Sequence, residues 1–214
     1  MDPLDLIRRD LGPGEWQRAG EAWTEASIIK LREDLSLFPH FKIYLVYGKT
    51  AQFDFPTLPH GSCGYYAANG SEALRLTRAG KEIERVLAID WPSLPSANPV
   101  QLASFVLSFY DGGIKESHRV LAGAEELRAY ETPPGEYRLD RAAFDRALPR
   151  IGLTSSEMEP ETVVIRAVTL CGWMHRKGNL GIETLTISKD GVVALGPRLV
   201  LAENVFAKYP GIRY

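Results

Sequence analysis

Apolar residues in the first part of the chain recur with two different spacings, and each spacing predicts a different element. Residues 2–9 combine an aspartate cap, a first-turn proline and apolar side chains, which predicts a short helix. Apolar positions three and four apart predict a second helix over residues 16–26. Residues 28–31 could continue that helix or begin a strand, and their β-branched side chains favour the strand. Residues 41–47 are aromatic and β-branched, so we expect a strand there.

A predicted hairpin follows the second of these strands. Its turn would lie at residues 48–50, and the alternation in residues 51–55 predicts the returning strand. Residues 56–70 are rich in proline and glycine, so we expect a loop or a short edge strand there. A predicted helix over residues 71–87 comes next, capped by its first residue, a serine, and weakened in the middle by Gly80.

Two further helices are predicted in the middle of the chain. One begins at residues 98–99 and ends before the turn at 111–113. Its predicted buried face consists of Leu102, Phe105, Val106 and Phe109. The other helix is capped by Asp140 and turns Phe144 inwards. The proline-containing residues 89–96 predict a loop.

The last part of the chain is typical of an antiparallel sheet. Strand-like runs lie at Thr162–Met174, Leu180–Ser188 and Val192–Phe206. Turn residues at 178–179 and 190–191 separate these runs, which predicts three consecutive antiparallel strands. The polar and acidic residues 155–161 predict a linker in front of them.

These elements together predict an α+β protein, with mixed helices, an N-terminal sheet region that contains the hairpin, and a C-terminal three-stranded antiparallel meander. Three strands alone need another layer to cover them, so we expect a single domain over residues 1–214. The alternative is a division into a helix-rich part at 1–153 and a separate meander at 162–214.

Composition and charge narrow the classes of function. The 214 residues carry 25 basic and 27 acidic side chains, so there is no electrostatic reason to expect a nucleic acid or a membrane surface as partner. The first residues lack the basic-then-apolar layout of a secretory signal, and no apolar run approaches a membrane span. The two cysteines make no disulfide framework. We therefore expect a soluble, cytoplasmic protein.

Cys63 is the first candidate for chemistry, because it lies in a Gly-Ser-Cys-Gly loop just before a predicted helix. A helix N-terminus favours the thiolate form of a nearby cysteine. Nucleophilic catalysis would also need a base, His118 or His60, and an orienting carboxylate such as Asp111 or Asp54. The simpler interpretation is a half-buried loop cysteine that packs as a small apolar side chain.

A second constellation comprises Cys171, Trp173 and His175, which share one side of a predicted strand. Glu183 on the next strand could reach the same side and complete a zinc-like ligand set. The spacing matches no established zinc motif, so we interpret Cys171 and Trp173 as core residues and expect no bound metal.

Two further features concern recognition. The basic turn at Arg176 and Lys177 could hold a phosphate or an acidic partner, although such a turn is usually only solvated. Adjacent aromatic residues, Tyr65 and Tyr66, follow the proline- and glycine-rich loop. If their segment is extended, they cannot both face inwards, so we expect at least one at the surface as a binding anchor.

The expected function is therefore that of an accessory protein that binds a protein partner through the aromatic loop, with the Arg176-Lys177 turn as a weaker second surface. A different class stays open, a small cysteine-dependent hydrolase or transferase that uses Cys63 with His118 or His60. A third alternative is a small-molecule pocket lined by Trp173, Phe105 and Phe109. No cofactor is expected, and self-association is left open.

Overall fold

The computed structural model describes residues 1–7, 9–10, 26–30, 37–48, 65–76, 80–109, 118–132, 137–171 and 177–208. The predicted helix over residues 16–26, except Ala26, and the predicted strand at 51–55 lie outside these ranges, and Ala26 itself begins a strand. The described residues form helices and two sheets, so the α+β class is confirmed. Within these ranges no helix is long and apolar enough to cross a membrane.

Helices of the described part are α1 (residues 3–7, continuing at 9–10), α2 (Lys81–Ile89), α3 (Pro99–Phe109), α4 (Ala124–Arg128) and α5 (Arg141–Ala147). Short 3-10 helices follow α2 at Trp91–Ser96 and α5 at Leu148–Arg150. The strands are β1 (Ala26–Lys30), β2 (Lys42–Gly48), β3 (Tyr65–Ala68), β4 (Ala73–Leu76), β5 (His118–Leu121), β6 (Tyr137–Leu139), β7 (Ser155–Glu159), β8 (Thr162–Cys171), β9 (Lys177–Ser188), β10 (Val193–Leu195) and β11 (Leu199–Lys208).

Several predicted helices are confirmed together with their caps. The Asp2 carboxylate accepts a hydrogen bond from Leu4 N at 2.9 Å at the start of α1. The Asp140 side chain accepts one from Ala143 N at 2.9 Å at the start of α5, and Phe144 is fully buried. Each cap satisfies a backbone donor that the first turn of a helix leaves without an intrahelical partner.

The first sheet, sheet A, is antiparallel with the strand order β1-β2-β3-β4. Residues 65–68 are therefore an inner strand of this sheet, whereas the sequence suggested a loop or an edge strand. The predicted helix over residues 71–87 is wrong at its start. The Asn69 side chain accepts hydrogen bonds from Ser71 N and Ser71 Oγ at 2.8 and 2.7 Å, so Ser71 belongs to the turn between β3 and β4 and caps no helix.

Gly80 marks the true beginning of α2. Its φ is +86°, in the left-handed region that glycine enters at little cost, and helical geometry starts at the next residue. The predicted weak point in the middle of a long helix is thus the boundary of a shorter one.

The second sheet, sheet B, has seven strands, of which five follow the order β5-β8-β9-β11-β6. The predicted three-stranded meander is replaced by this larger arrangement. Residues 178–179 are not a turn, because Asn179 pairs with Cys171 inside the ladder of β8 and β9. Residues 155–159, predicted as a linker, form β7 and pair with β8.

The predicted strand Val192–Phe206 is divided into β10 and β11, which both pair with β9. Gly196 and Pro197 lie between the two strands, and proline has no backbone N–H to donate to a ladder. The turn predicted at 190–191 is confirmed, and Gly191 adopts a φ of +79° there.

Two large apolar clusters lie on opposite faces of sheet B. The first joins β8 and β9 to α2, α3 and sheet A, and it includes Leu102, Phe105 and Val106, as predicted. The rings of Phe38 and Phe105 meet there at 4.6 Å between centroids. The second cluster packs α5 against the other face through Phe144 and Phe206. We call these the α3 face and the α5 face of sheet B.

Candidate functional site

The residues expected to catalyse lie mostly outside the described ranges. Cys63, His60 and Asp111 are all outside them. His118 begins β5, and its backbone is paired with that of Cys171 on β8. Among the described residues, the structure therefore brings together no part of the Cys63 set.

The expected binding residues divide between core and partial exposure. Tyr66 is fully buried, and its hydroxyl donates a hydrogen bond to Asp10 Oδ2 at 2.8 Å. Tyr65 is half-buried and packs against the cluster on the α3 face. Tyr66 is thus a core side chain, and Tyr65 is the one partly open to solvent. Lys177 belongs to β9, whereas Arg176 lies outside the described residues.

A histidine and an aspartate that the sequence analysis did not select form the most distinctive contact of the described part. His40 Nδ1 lies 2.5 Å from Asp90 Oδ1, and the His40 backbone N–H donates to the same oxygen at 3.1 Å. The His40 side chain is 62% exposed, whereas Asp90 is fully buried. A buried carboxylate therefore holds an imidazole that faces solvent.

The end of α2 explains why Asp90 stands at this place. Asp90 N donates to Val86 O at 3.0 Å and so closes the helix. Ser93 Oγ lies 2.7 Å from Asp90 O and 3.2 Å from Leu37 O, which ties the segment before β2 to the end of α2. The C-terminal end of a helix carries partial negative charge and disfavours a carboxylate. Asp90 is thus held where its own helix does not stabilise it.

The contact also sets the chemical form of the imidazole. A carboxylate can only accept hydrogen bonds, so Nδ1 of His40 must be the donor. In the neutral imidazole the remaining nitrogen, Nε2, then carries the free lone pair. Asp90 Oδ2 is buried and has no hydrogen-bond partner among the described residues. The pair thus combines an oriented base with an incompletely satisfied buried carboxylate.

A second polar cluster interrupts the apolar α3 face of sheet B. We call it the Glu183 cluster, and it consists of Glu183, Thr169, Cys171 and Arg198. Glu183 is 3% exposed and shares its face of β9 with Leu185 and Ile187. Its Oε1 accepts a hydrogen bond from Thr169 Oγ1 at 3.0 Å and lies 3.6 Å from Cys171 Sγ. The expectation that Glu183 would reach Cys171 across the two strands is confirmed.

Arg198 completes the Glu183 cluster by crossing β9. Its Nε lies 3.5 Å from Glu183 Oε1, and its Nη2 donates a hydrogen bond to Asn179 O at 2.8 Å. A Cβ atom at Gly181 would lie 2.7 Å from Arg198 Nε, so a larger residue there would displace the Arg198 side chain. Asn204 N donates to Asn179 Oδ1 at 2.8 Å from an irregular part of β11.

The electrostatics of the Glu183 cluster argue against nucleophilic chemistry at Cys171. Burial raises the pKa of the Cys171 thiol to about 12, and Glu183 adds to the rise against the opposing effect of Arg198. The reactive form of cysteine is the thiolate, so this thiol is inert near neutral pH. Among the residues with described positions, no group of three or more histidine, cysteine and acidic side chains could hold a metal ion.

The sequence contains one signal that points to Asp90. It stands directly after the last turn of an amphipathic helix, where a basic residue or glycine would be usual. His40 carries no such signal, because it lies fifty positions away from its partner and outside any element. Comparisons with models of protein families, with curated proteins and with solved structures find no match for this chain.

Proposed function

We propose that the protein is an enzyme of the hydrolase or transferase class in which His40 is the general base and Asp90 orients it. The observation that carries this proposal is the 2.5 Å contact between an exposed imidazole and a fully buried carboxylate. The same division of roles, a base held by a buried acid, underlies proton transfer in nucleophilic catalysis. This base differs from His118 and His60, which the sequence suggested as partners of Cys63.

In the proposed step, His40 Nε2 takes a proton from a water molecule whose oxygen attacks an acyl carbon. The oxygen forms the new bond to carbon, and the electron pair of the cleaved acyl bond leaves with the leaving group. The proton on Nε2 then passes to the leaving group or to solvent. Asp90 stabilises the imidazolium while it exists and keeps Nδ1 as the donor.

Hydrolysis of p-nitrophenyl acetate tests this proposal without knowledge of the natural substrate. We expect a rate above background for the wild type, and a loss of at least about tenfold in His40→Gln and in Asp90→Asn. Asp145→Asn is a matched control, because it removes an aspartate that is half exposed and paired with Arg141 on the surface of α5.

Folding is checked by thermal melting of each variant. His40→Gln changes an exposed side chain and should stay folded, so it keeps the test informative if Asp90→Asn does not. A wild type that hydrolyses the ester no faster than buffer would refute the proposal, as would full activity in folded His40→Gln.

The second candidate function is recognition of a protein partner, which the partial exposure of Tyr65 favours. It is narrower than the expectation from sequence, because Tyr66 is buried. Tyr65→Ala should weaken binding of a purified protein partner by about 2 kcal/mol. Two controls, Tyr137→Ala at another half-buried tyrosine and Cys63→Ser, should leave binding unchanged. Equal binding by Tyr65→Ala and the wild type would remove this candidate. As part of this second proposal, the protein binds its partner in the cytoplasm.

A further inference from the structure

A cavity of about 290 Å³ opens on the α5 face of sheet B, between β7–β9 and the segment that leads from α5 into β7. Its lining includes Arg150, Leu153, Ser155, Glu157, Arg166 and Ile182. A second cavity of about 260 Å³ adjoins it at residues 152–153 and runs to the start of α4. Neither cavity includes a residue of the His40–Asp90 pair or of the Glu183 cluster.

Two guanidinium groups give the larger cavity its charge. Arg150 Nη1 donates a hydrogen bond to Leu201 O at 2.8 Å, which anchors that side chain to the sheet. Arg166 is exposed on β8, opposite Ser155 and Thr184 on the neighbouring strands. Neither arginine forms an ion pair with a carboxylate of the described residues, although surface arginines elsewhere in these ranges do, such as Arg119.

The opposite charge in the cavity is a single carboxylate. Glu157 lines it as well, but no ion pair joins it to an arginine within the described ranges. Two guanidinium groups against one carboxylate leave the cavity with a net positive charge. Guanidinium groups recognise planar or tetrahedral anions through paired hydrogen bonds. The balance favours a ligand with one acidic group over a highly charged one.

An apolar path leads away from these charges. Leu153 is 78% exposed and lies at the junction of the two cavities. Its Cδ2 lies 2.9 Å from the position of a Cβ atom added at Gly123, so only glycine allows it to sit so close to the start of α4. The wall beyond it consists mostly of small or aliphatic residues, including Ala122 and Ile151. Its two carboxylates, Glu125 and Glu126, are already paired with Arg128 and Arg119, which offset their charge. An apolar chain that extended from the arginines would cover this surface.

We propose that the paired cavities bind a small amphiphilic anion, with its acidic group at Arg150 and Arg166 and a short apolar tail along Leu153. The acidic group is a carboxylate or a phosphate, since both match the guanidinium fork. This site is independent of the His40–Asp90 pair and of the function proposed there.

Isothermal titration with four probes tests the site: octanoate, octyl phosphate, inorganic phosphate and octanol. We expect octanoate or octyl phosphate to bind at about millimolar concentration or below, and the tighter of the two identifies the acidic group. Inorganic phosphate should bind at least tenfold more weakly, because it lacks the tail. Octanol should not bind, because it lacks the charge.

Two variants locate the binding. Arg166→Gln removes an exposed charge, and Gly152→Leu places a side chain where the structure leaves open space within 4 Å. Each should weaken binding of the tighter probe at least tenfold, whereas Arg138→Gln, an exposed arginine of β6 outside both cavities, should not. Ester hydrolysis should stay unchanged in all three variants.

No binding of either amphiphile, equal binding of octanol, or equal binding by Arg166→Gln and the wild type would each overturn the proposal. Thermal melting of every variant distinguishes loss of the site from loss of the fold.

Discussion

Buried polar atoms without a hydrogen-bond partner are rare in folded proteins, and each has a cost in stability. In the described part of this chain they are Asp90 Oδ2, Arg198 Nε and Asn204 Oδ1. The first belongs to the His40–Asp90 pair. The other two lie in or beside the Glu183 cluster, where Asn204 contacts Asn179. The unsatisfied groups therefore lie at two of the places in the described part where polar side chains interrupt the apolar core.

Cys171 is expected to make the stability of the protein sensitive to alkaline pH. An unfolded cysteine ionises above about pH 8.5, whereas burial raises the pKa of folded Cys171 to about 12. Between these values only the unfolded state loses the proton, so stability is complete below about pH 8.5 and falls as pH rises, by about 1.4 kcal/mol per pH unit.

Urea unfolding of the wild type and of Cys171→Ala at about pH 8 and pH 10 measures this effect. The wild type should lose about 2 kcal/mol more than the variant between the two conditions. Burial also raises the pKa of Tyr44 and of Tyr130, but that contribution is common to both proteins and cancels. Identical pH dependence in the two proteins would mean that Cys171 is accessible to water.

Glu183 is expected to contribute to stability mainly as the partner of Arg198. Removing one member of a buried ion pair leaves the other charge without compensation, so Glu183→Gln should cost about 3 kcal/mol in the free energy of unfolding. Glu125→Gln is the control, because it removes an exposed carboxylate that pairs with Arg128, and it should cost less than about 0.5 kcal/mol.

A double-mutant cycle, measured by chemical denaturation of Glu183→Leu, of Arg198→Met and of the variant that carries both substitutions, gives the interaction between the two side chains. The double variant should be more stable than the sum of the single losses predicts, by about 1–3 kcal/mol. Additive losses would show that the two side chains do not stabilise each other.

At the scale of elements, helix α2 and the hairpin of β9 and β10 are in close contact at Gly191. A Cβ atom at Gly191, in the turn between β9 and β10, would lie 1.8 Å from Glu84 O of α2. The hairpin therefore rests directly on the helix backbone. Gly191 meets two demands at once, since its φ of +79° also requires glycine.

The substitution Gly80→Ala distinguishes the predicted helix from the observed one, because the two structures predict opposite changes in stability. A helix over residues 71–87 would place Gly80 in its interior, where alanine would stabilise the protein by about 1 kcal/mol. In the structure Gly80 precedes α2 with a φ of +86°, so Gly80→Ala should destabilise it by about 1–2 kcal/mol. Gly152→Ala, at a glycine with open space around it, should change stability little. Thermal or urea unfolding of both variants decides the sign.

At the scale of the whole molecule, the cluster on the α3 face contains side chains from both sheets. Ile43 of sheet A and Ile165 of sheet B belong to it together with residues of α2 and α3. A core that contains both sheets couples their unfolding. The expectation of one domain over residues 1–214 therefore predicts that the two sheets unfold together.

Ile43→Val should lower the stability of both sheets by the same amount, about 1 kcal/mol. Hydrogen exchange of backbone amides in β2 and β8, measured where exchange occurs through global unfolding, gives the unfolding free energy of each sheet separately. Met158→Ala, at a side chain that is 63% exposed, is the control without effect. Loss of protection in β2 alone would show that the sheets unfold independently.

Local sequence was sufficient for elements whose pattern is complete within one segment. The apolar period of α3, the Asp140 cap of α5 and the turn at 190–191 depend on neighbouring residues only. The reach of Glu183 to Cys171 was also predictable, because the ladder of β8 and β9 joins segments that are close in sequence. These features follow from backbone preference and side-chain alternation, which act over a few residues.

Tertiary structure decided the features that depend on distant partners. Residues 73–76 suit either a helix or a strand, and pairing with β3 selects the strand. Residues 155–159 look like a linker until β8 supplies hydrogen bonds to their backbone. His40 and Asp90 stand fifty positions apart, and they meet only because the end of α2 docks against the segment before β2. The physical reason is the same in each case, since contacts between distant segments leave no periodic pattern in either one.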